Sequence, residues 1–257
     1  MSETTDPYWN IAMEEAILLS GEKNIFHPTI RFWINSDAAV IGIFQDPSLE
    51  VDLKFCSDMS VAVIRRFTGG GAVYHDLGNL NWSVFISRKH RMVLDVMNEG
   101  LPGIFKVLSR GIVEGLSSLG LSAQYKFPNS ILAGGKKISG IAGSVKVHRI
   151  LCHGTLLVNS DLDRLWKVLT PNYTAIKGKI VNRHVRSTRS EVTTLDKELV
   201  RPIGIEQVKI VLTKAVERVY GIRLEVSDLT YDEKKCAEKL HQEKYLKDMW
   251  NYTHTRT

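Results

Sequence analysis

No apolar run in this 257-residue chain approaches the roughly 18–20 residues that cross a bilayer; AAVIGIF, residues 38–44, is among the longest. The N-terminal MSETTDPYWN has no basic stretch ahead of an apolar one, so it does not read as a secretory signal. Cysteine is scarce. Cys56, Cys152 and Cys236 are odd in number, scattered and without metal-ligand spacing, which favours reduced thiols in a cytoplasmic protein. Internal repeats, low-complexity tracts and Gly/Ser linkers are missing too, so a single domain over 1–257 is expected, with two final helices at about 205–250 packed on it. Acidic residues are absent from Arg164 to Ser190, where seven Lys or Arg residues lie. Such a run is ordinarily a solvated face, and next an anion-binding segment. A nucleic-acid module would come with a recognisable fold and interleaved aromatics, and the run offers one tyrosine, Tyr173, near its start. Neither membrane nor nucleic acid is therefore an expected partner.

What is present alternates between helical and strand periods. Residues 8–19 have helical spacing, with Glu14 and Glu15 on the polar side. Two short strands, 29–35 and 38–44, follow with Ser36 and Asp37 at the turn. A short helix over 48–58 leads into the strand VAVIRR, and residues 80–87 form another strand that DLGNL joins in a hairpin-like turn. Residues 93–119 are helically spaced, with Pro102 expected to break them. Strands at 123–127, 130–133, 136–146 and 149–158 are followed by a helix capped by Asp161 and by helices at 206–220 and 231–247. Gathered strands and gathered helices point to an α+β fold.

The chemistry-bearing stretch is RRFTGGGAVYHD, Arg65 to Asp76. Lacking Cβ atoms, Gly69, Gly70 and Gly71 can take positive φ and converge their N–H groups on an anion. Arg66 would add a charge-assisted contact to the same oxygens. A bare glycine triplet is otherwise a tight turn between strands. Further on, Lys136 and Lys137 lie in GGKKISGIAGS, residues 134–144, and strand alternation lets only one face a pocket. A Lys–Lys pair on a strand is otherwise surface charge.

RRFTGGGAVYHDLGNLN resembles the signature of the lipoate–protein ligase family, relatives of the biotin protein ligases, and GGKKISGIAGS is similar to that family's lysine motif. DPYWNIAMEEA, RFWINSDAAVIGIFQDP and CHGTLLVN agree in order, so the resemblance runs over about residues 6–200. It departs at Asn129-Ser130-Ile131, where many members read Asn-Asp-Ile, and at Ser144, where some carry arginine. The resemblance implies a central mixed, mostly antiparallel sheet flanked by helices, like the catalytic domain of class II synthetases and biotin ligases.

The implied reaction activates lipoate or octanoate with ATP and Mg2+, through an acyl-adenylate, and transfers the acyl group to a lysine of a carrier. Lys137 is the implied catalytic residue. Arg66, Gly69, Gly70, Gly71, Ala72, Val73 and Tyr74 would join it on the nucleotide; Trp33, Arg66, His75 and Gly140 would join it on the lipoate. Asn10 and Glu14 fall at positions beside the acyl pocket. The basic segment, with Lys177, Gly178 and Lys179, would be a lid over the adenylate; the metal ligand stays open. The partner would be a lipoyl carrier domain, of a 2-oxoacid dehydrogenase E2, a glycine-cleavage H protein or a similar lipoate-binding protein. The chain is shorter than members that carry a C-terminal accessory domain, which leaves room for a separate small accessory subunit. Two other readings stay open: an octanoyltransferase of the same fold that needs no ATP, and a non-catalytic binder of adenylates or nucleic acid.

Overall fold

The strand-forming segments sort into two sheets in the computed structural model, which describes residues 4–20, 27–170 and 185–253. Strands β1 (Thr29–Trp33), β5 (Asn79–Ser87), β9 (Arg149–Leu157), β8 (Lys136–Val145), β7 (Ser130–Ala133) and β6 (Ala123–Lys126) pair in that order, each antiparallel to its neighbour. A smaller sheet places β2 (Ala38–Ile41) between a parallel β3 (Ala62–Arg65) and an antiparallel β4 (Val73–His75).

The central strands β5 and β9 are buried along nearly their whole length because both faces are covered. On one face, Trp82, Ile86, Ile150 and Cys152 pack with the helices α5 (Gly100–Leu108), α6 (Arg110–Ser118) and α9 (Ile205–Tyr220), through Ile104, Ile112, Leu116, Val208 and Leu212. On the other, Phe85 and Leu151 meet Ile11, Ile17 and Leu18 of α1 (Pro7–Ser20). The alternation of Trp82 and Phe85 between the two clusters is the period-2 rule at work. Along the edge of the smaller sheet run α2 (Pro47–Glu50) and α3 (Leu53–Asp58), capped by Asp46 and Asp52. α7 (Leu162–Val168) starts where Asp161 Oδ1 accepts the Arg164 N–H, as the sequence suggests.

The short segment followed by a longer helix that Pro102 predicts is found: α4 (Arg91–Leu94) ends before it, and α5 opens at Gly100, so the proline sits in a first turn that has no N–H partner to lose. Three expectations are corrected. β1 and β2 do not pair across Ser36–Asp37: one belongs to the large sheet and the other to the small one. DLGNL likewise joins strands of different sheets, β4 and β5, and is no hairpin. Glu14 and Glu15 are not solvated. α1 is enclosed between the sheets and α10 (Tyr231–Leu240), so both carboxylates are buried and each has partners. A short α8 (Leu195–Leu199) has no forerunner in the sequence reading.

Candidate active site

β3 ends in two arginines whose alternation sends them to different tasks. Arg66 turns into the glycine loop. Its Nη2 donates to Gly69 O (2.6 Å) and Gly71 O (2.9 Å), its Nη1 to Val40 O (3.0 Å) and its Nε to Thr68 Oγ1 (3.0 Å). Burial lowers this guanidinium to about 10. With the Gly69 and Gly71 carbonyls drawn towards Arg66, the N–H groups of Gly69, Gly70 and Gly71 donate to nothing among the described residues. Three free amides on one loop are what an anion cradle needs. Only Gly70 has positive φ, 91°, so the expectation for all three glycines narrows to one. Gly42, at the end of β2, must also lack a side chain, since a Cβ there would stand 2.2 Å from Gly70 O.

Beyond the loop, β4 splits its side chains. Tyr74 packs into the core with its hydroxyl donating to Asp37 Oδ1 (3.0 Å) while it also lines the smaller of two cavities; Ala72, Val73 and His75 line cavities as well. His75 is buried, and burial, reinforced by Arg66 and His153, pushes its pKa down to about 3, so the ring is neutral. Its tautomer is set from afar. Arg31 can only donate, and it bonds Asn10 Oδ1; Asn10 Nδ2 donates to Asn35 Oδ1, and Asn35 Nδ2 to His75 Nδ1 (3.0 Å). His75 therefore accepts at Nδ1 and carries its proton on Nε2. Trp33 meets it edge-on, with ring centroids 5.8 Å apart.

A second buried chain underlies these residues. Trp33 Nε1 donates to Ser83 Oγ (3.0 Å), which donates to Glu14 Oε2 (2.8 Å). The same oxygen lies 3.0 Å from His153 Nδ1, and His153 Nε2 lies 2.9 Å from Thr68 Oγ1, the group that Arg66 Nε grips. Arg31 pairs with the other oxygen of Glu14 at 3.3 Å. Thr68 and His153 were not singled out from the sequence as site residues; their one signal was His153 within CHGTLLVN.

Lys137 stands where two cavities meet. The larger, about 600 Å3, runs from Ile11, Trp33, Val40 and His75 past Arg66 and the glycine loop to Lys126, Phe127 and Pro128. The smaller, about 100 Å3, is lined by Glu50, Leu157, Leu165, Trp166 and Leu169. Ala72, Val73, Lys137, Gly140 and Thr155 line both. Lys136 points away and pairs with Glu191 at 3.2 Å, as alternation requires. The Lys137 ammonium has no ion-pair or hydrogen-bond partner among the described residues, and burial pushes its pKa below the ordinary lysine value. A half-buried, unpaired cation that shares a cavity with free amides is a place for anionic oxygens.

The descending part of the basic run lies over this junction. Lys177, Gly178 and Lys179 fall outside the described residues, but Val185–Ser190 line the cavities. Ser187 Oγ accepts the Ala72 N–H (2.9 Å) and Gln45 Nε2 (3.1 Å), and Gln45 Nε2 also donates to Val185 O (3.0 Å). Arg189 stacks over Trp166, 5.6 Å from its ring centre. Among the described residues no three His, Cys, Asp or Glu converge as a metal site. No thiol lines either cavity. Cys152 is buried in the core, which pushes its thiol far above the ordinary value.

The family model of the lipoyl protein ligase A/B catalytic domain matches residues 6–217. The chain belongs to that family. The lipoate–protein ligase 1 of Staphylococcus aureus is 35% identical over 251 residues, 96% of this chain and 70% of the relative. An octanoyltransferase LipM of Brevibacillus brevis is 29% identical, covering 98% of this chain and 96% of the relative. Among solved structures, a bi-partite lipoate protein ligase of Thermoplasma acidophilum, studied with its E2 lipoyl domain, superposes with a TM-score of 0.84 at 30% identity, covering all of this chain and 96% of that one. A lipoate–protein ligase A bound with ATP gives 0.81 at 30% identity, over 99% and 98%.

Proposed function

We propose that the protein activates lipoate, or its octanoyl counterpart, with ATP and transfers the acyl group to a lysine of a lipoyl carrier domain. The observation that carries this reading is Lys137: one ammonium, unpaired among the described residues, where the larger cavity meets a second cleft, in the same cavity as the free Gly70 and Gly71 amides. The larger cavity suits an acyl chain, with Ile11, Trp33 and Val40 as apolar lining and His75 Nε2–H as a donor inside it. The Gly70 and Gly71 amides and Lys137 suit phosphate oxygens, and the smaller cleft, with Trp166, Leu165 and Leu169, suits a base.

In this scheme the acyl carboxylate attacks the α-phosphorus of ATP and pyrophosphate leaves. An amine of the carrier then attacks the acyl carbonyl; the C–O bond to AMP breaks, AMP leaves with the electron pair and the amine gives up a proton. Neither step needs a nucleophile from the protein. Lys137 holds the charge that builds on the α-phosphate and on the carbonyl oxygen, while Arg66, bonded to the loop carbonyls and lining the larger cavity, keeps the loop in place. Mg2+ would arrive with the phosphates; Glu50 is the carboxylate lining the smaller cleft, and no step is assigned to it. A solved relative with ATP and another studied with its lipoyl domain support the substrate and the partner.

The octanoyltransferase reading is favoured by the B. brevis relative. Against it, no thiol lines the cavities and the Cys152 thiol is buried in the core. ATP–pyrophosphate exchange decides. Exchange that requires lipoate and disappears in Lys137→Ala supports the ligase; acyl transfer from an octanoyl carrier without ATP, and no exchange, replaces it with the transferase.

A further inference from the structure

We infer that the turn between β6 and β7, Phe127–Pro128 with Lys126 beside it, is the landing surface for the acceptor domain, a small acidic domain presenting one lysine. This rests on the acyl-transfer reading above. Phe127 is 71% exposed, an uneconomical place for a phenyl ring unless something covers it. Several other large apolar side chains are exposed, but Phe127 and Pro128 also line the cavity that leads to Lys137.

The turn is held rather than loose. Tyr125 Oη lies 2.5 Å from Pro128 O and 3.0 Å from Pro102 O, tying the turn to α5. Asn129 exchanges backbone and side-chain bonds with Ile141 of β8, at 2.8 Å and 3.2 Å. An exposed aromatic on a braced turn loses little freedom when it is covered, which is how interface anchors gain affinity.

Charge selects the occupant. Around the same mouth stand Lys126 and Arg186, and the one carboxylate lining it among the described residues, Glu191, is already paired with Lys136. The chain as a whole carries a formal net charge of +6. A basic rim around an apolar anchor fits an acidic partner. The arriving amine must also reach Lys137 uncharged, since one ammonium repels another; a domain seated on Phe127 and Pro128 excludes water from the mouth and favours the neutral amine.

The test uses the full chain and a recombinant apo lipoyl domain of a 2-oxoacid dehydrogenase E2. Wild type, Phe127→Ala, Lys126→Glu and the double variant are compared in lipoate-dependent ATP–pyrophosphate exchange without the domain, in acyl transfer to it, and in calorimetric binding of it. The expected result is exchange within twofold of wild type in all four, with KM for the domain raised tenfold or more in the double variant. An Asp or Glu to Lys reversal on the domain should recover part of the loss in Lys126→Glu. Unchanged KM for the domain with intact exchange overturns the inference, and so does exchange that falls in step with transfer, which would make the turn part of the acyl pocket. If wild type shows no exchange, the functional reading fails separately. Binding then still decides: equal affinity of wild type and double variant, or no binding at all, overturns the landing surface.

Discussion

Lys137 folds back over Gly140 so closely that a β-carbon on the glycine would stand 3.2 Å from Lys137 Cε and 3.3 Å from its Nζ. The two are three residues apart on one strand and would ordinarily face opposite ways. The register between β7 and β8 slips between Ile131 and Leu132, leaving Ile138 without a partner, and that bulge brings both to the same side.

Gly140→Ala should therefore act on the amine rather than on the fold. A contact this tight shifts Nζ by a few tenths of an ångström, and the predicted effect is a fall of about tenfold or more in adenylation kcat, with KM for lipoate within about threefold. Pyrophosphate exchange reads it. An unchanged kcat would mean that the position of Lys137 is not critical.

The alkaline limb of activity should report Lys137. Burial holds its pKa below the 10.5 of a free lysine, so the ammonium of the empty enzyme is lost at lower pH than an exposed lysine would be. Bound phosphates favour the charged form and raise the pKa again. The limb of kcat/KM for ATP, which follows the free enzyme, should fall at lower pH than the limb of kcat. Coincident limbs, or a limb retained in Lys137→Arg at the same pH, would count against Lys137 as the titrating group.

His75 gives a prediction of the opposite sign. Its folded pKa of about 3 lies below the ordinary 6.5, so folding favours the neutral ring. The contribution is complete above about pH 6.5 and is lost as pH falls from there towards 3. Urea midpoints should drop between pH 6.5 and 4.5 by up to about 1.4 kcal/mol per pH unit, and His75→Gln should flatten that slope. In NMR spectra the His75 ring should stay neutral at pH 5 with its proton on Nε2, and Asn35→Asp should move it to Nδ1.

What the sequence conveys follows contiguity. The glycine loop and Lys137 lie in short unbroken motifs whose residue types carry the chemistry, and the strands from 123 to 158 alternate cleanly. The Glu14–His153–Thr68 chain is assembled from α1, β9 and the loop after β3, members 85 and 139 residues apart, and although each lies in a motif block, nothing in the blocks says that the three meet. Glu14 misleads for a physical reason. A glutamate on an amphipathic helix is ordinarily solvated, and only the packing of α10 outside α1, with Arg31 and His153 inside, makes a buried carboxylate tolerable. The free amides of the loop were likewise hidden, because they depend on where Arg66 points.

Arg65, the other arginine of the pair, fastens the chain's last described turn to the site. Its Nε donates to Trp250 O (2.9 Å), its Nη2 to Asn251 O (3.1 Å) and its Nη1 to Gln45 O (2.5 Å), while Trp250 Nε1 returns a bond to Arg65 O (2.8 Å). Arg65→Met keeps the aliphatic bulk and strands these carbonyls, so a loss of about 3 kcal/mol or more is expected in urea unfolding. The 42–45 segment that it releases abuts Gly70, and KM for ATP should rise with it. Loss of stability with KM for ATP unchanged would confine Arg65 to holding the C-terminal turn.

Cys152 separates the ligase from a thiol-dependent transferase. Its side chain sits at 0% exposure among Trp82, Ile104 and Leu108, on the face of β9 opposite His153, and burial pushes the thiol far above its ordinary pKa. A thiol so placed cannot take an acyl group at neutral pH without the sheet opening. Cys152→Ala should leave carrier acylation within about twofold of wild type and cost roughly 1 kcal/mol of stability for the small void left behind. Native protein should also resist alkylation at this position by iodoacetamide at pH 8. A hundredfold loss of acylation in a folded Cys152→Ala, or an acyl-thioester trapped there by mass spectrometry, would instead establish covalent transfer and remove the reason for assigning ATP to the glycine loop.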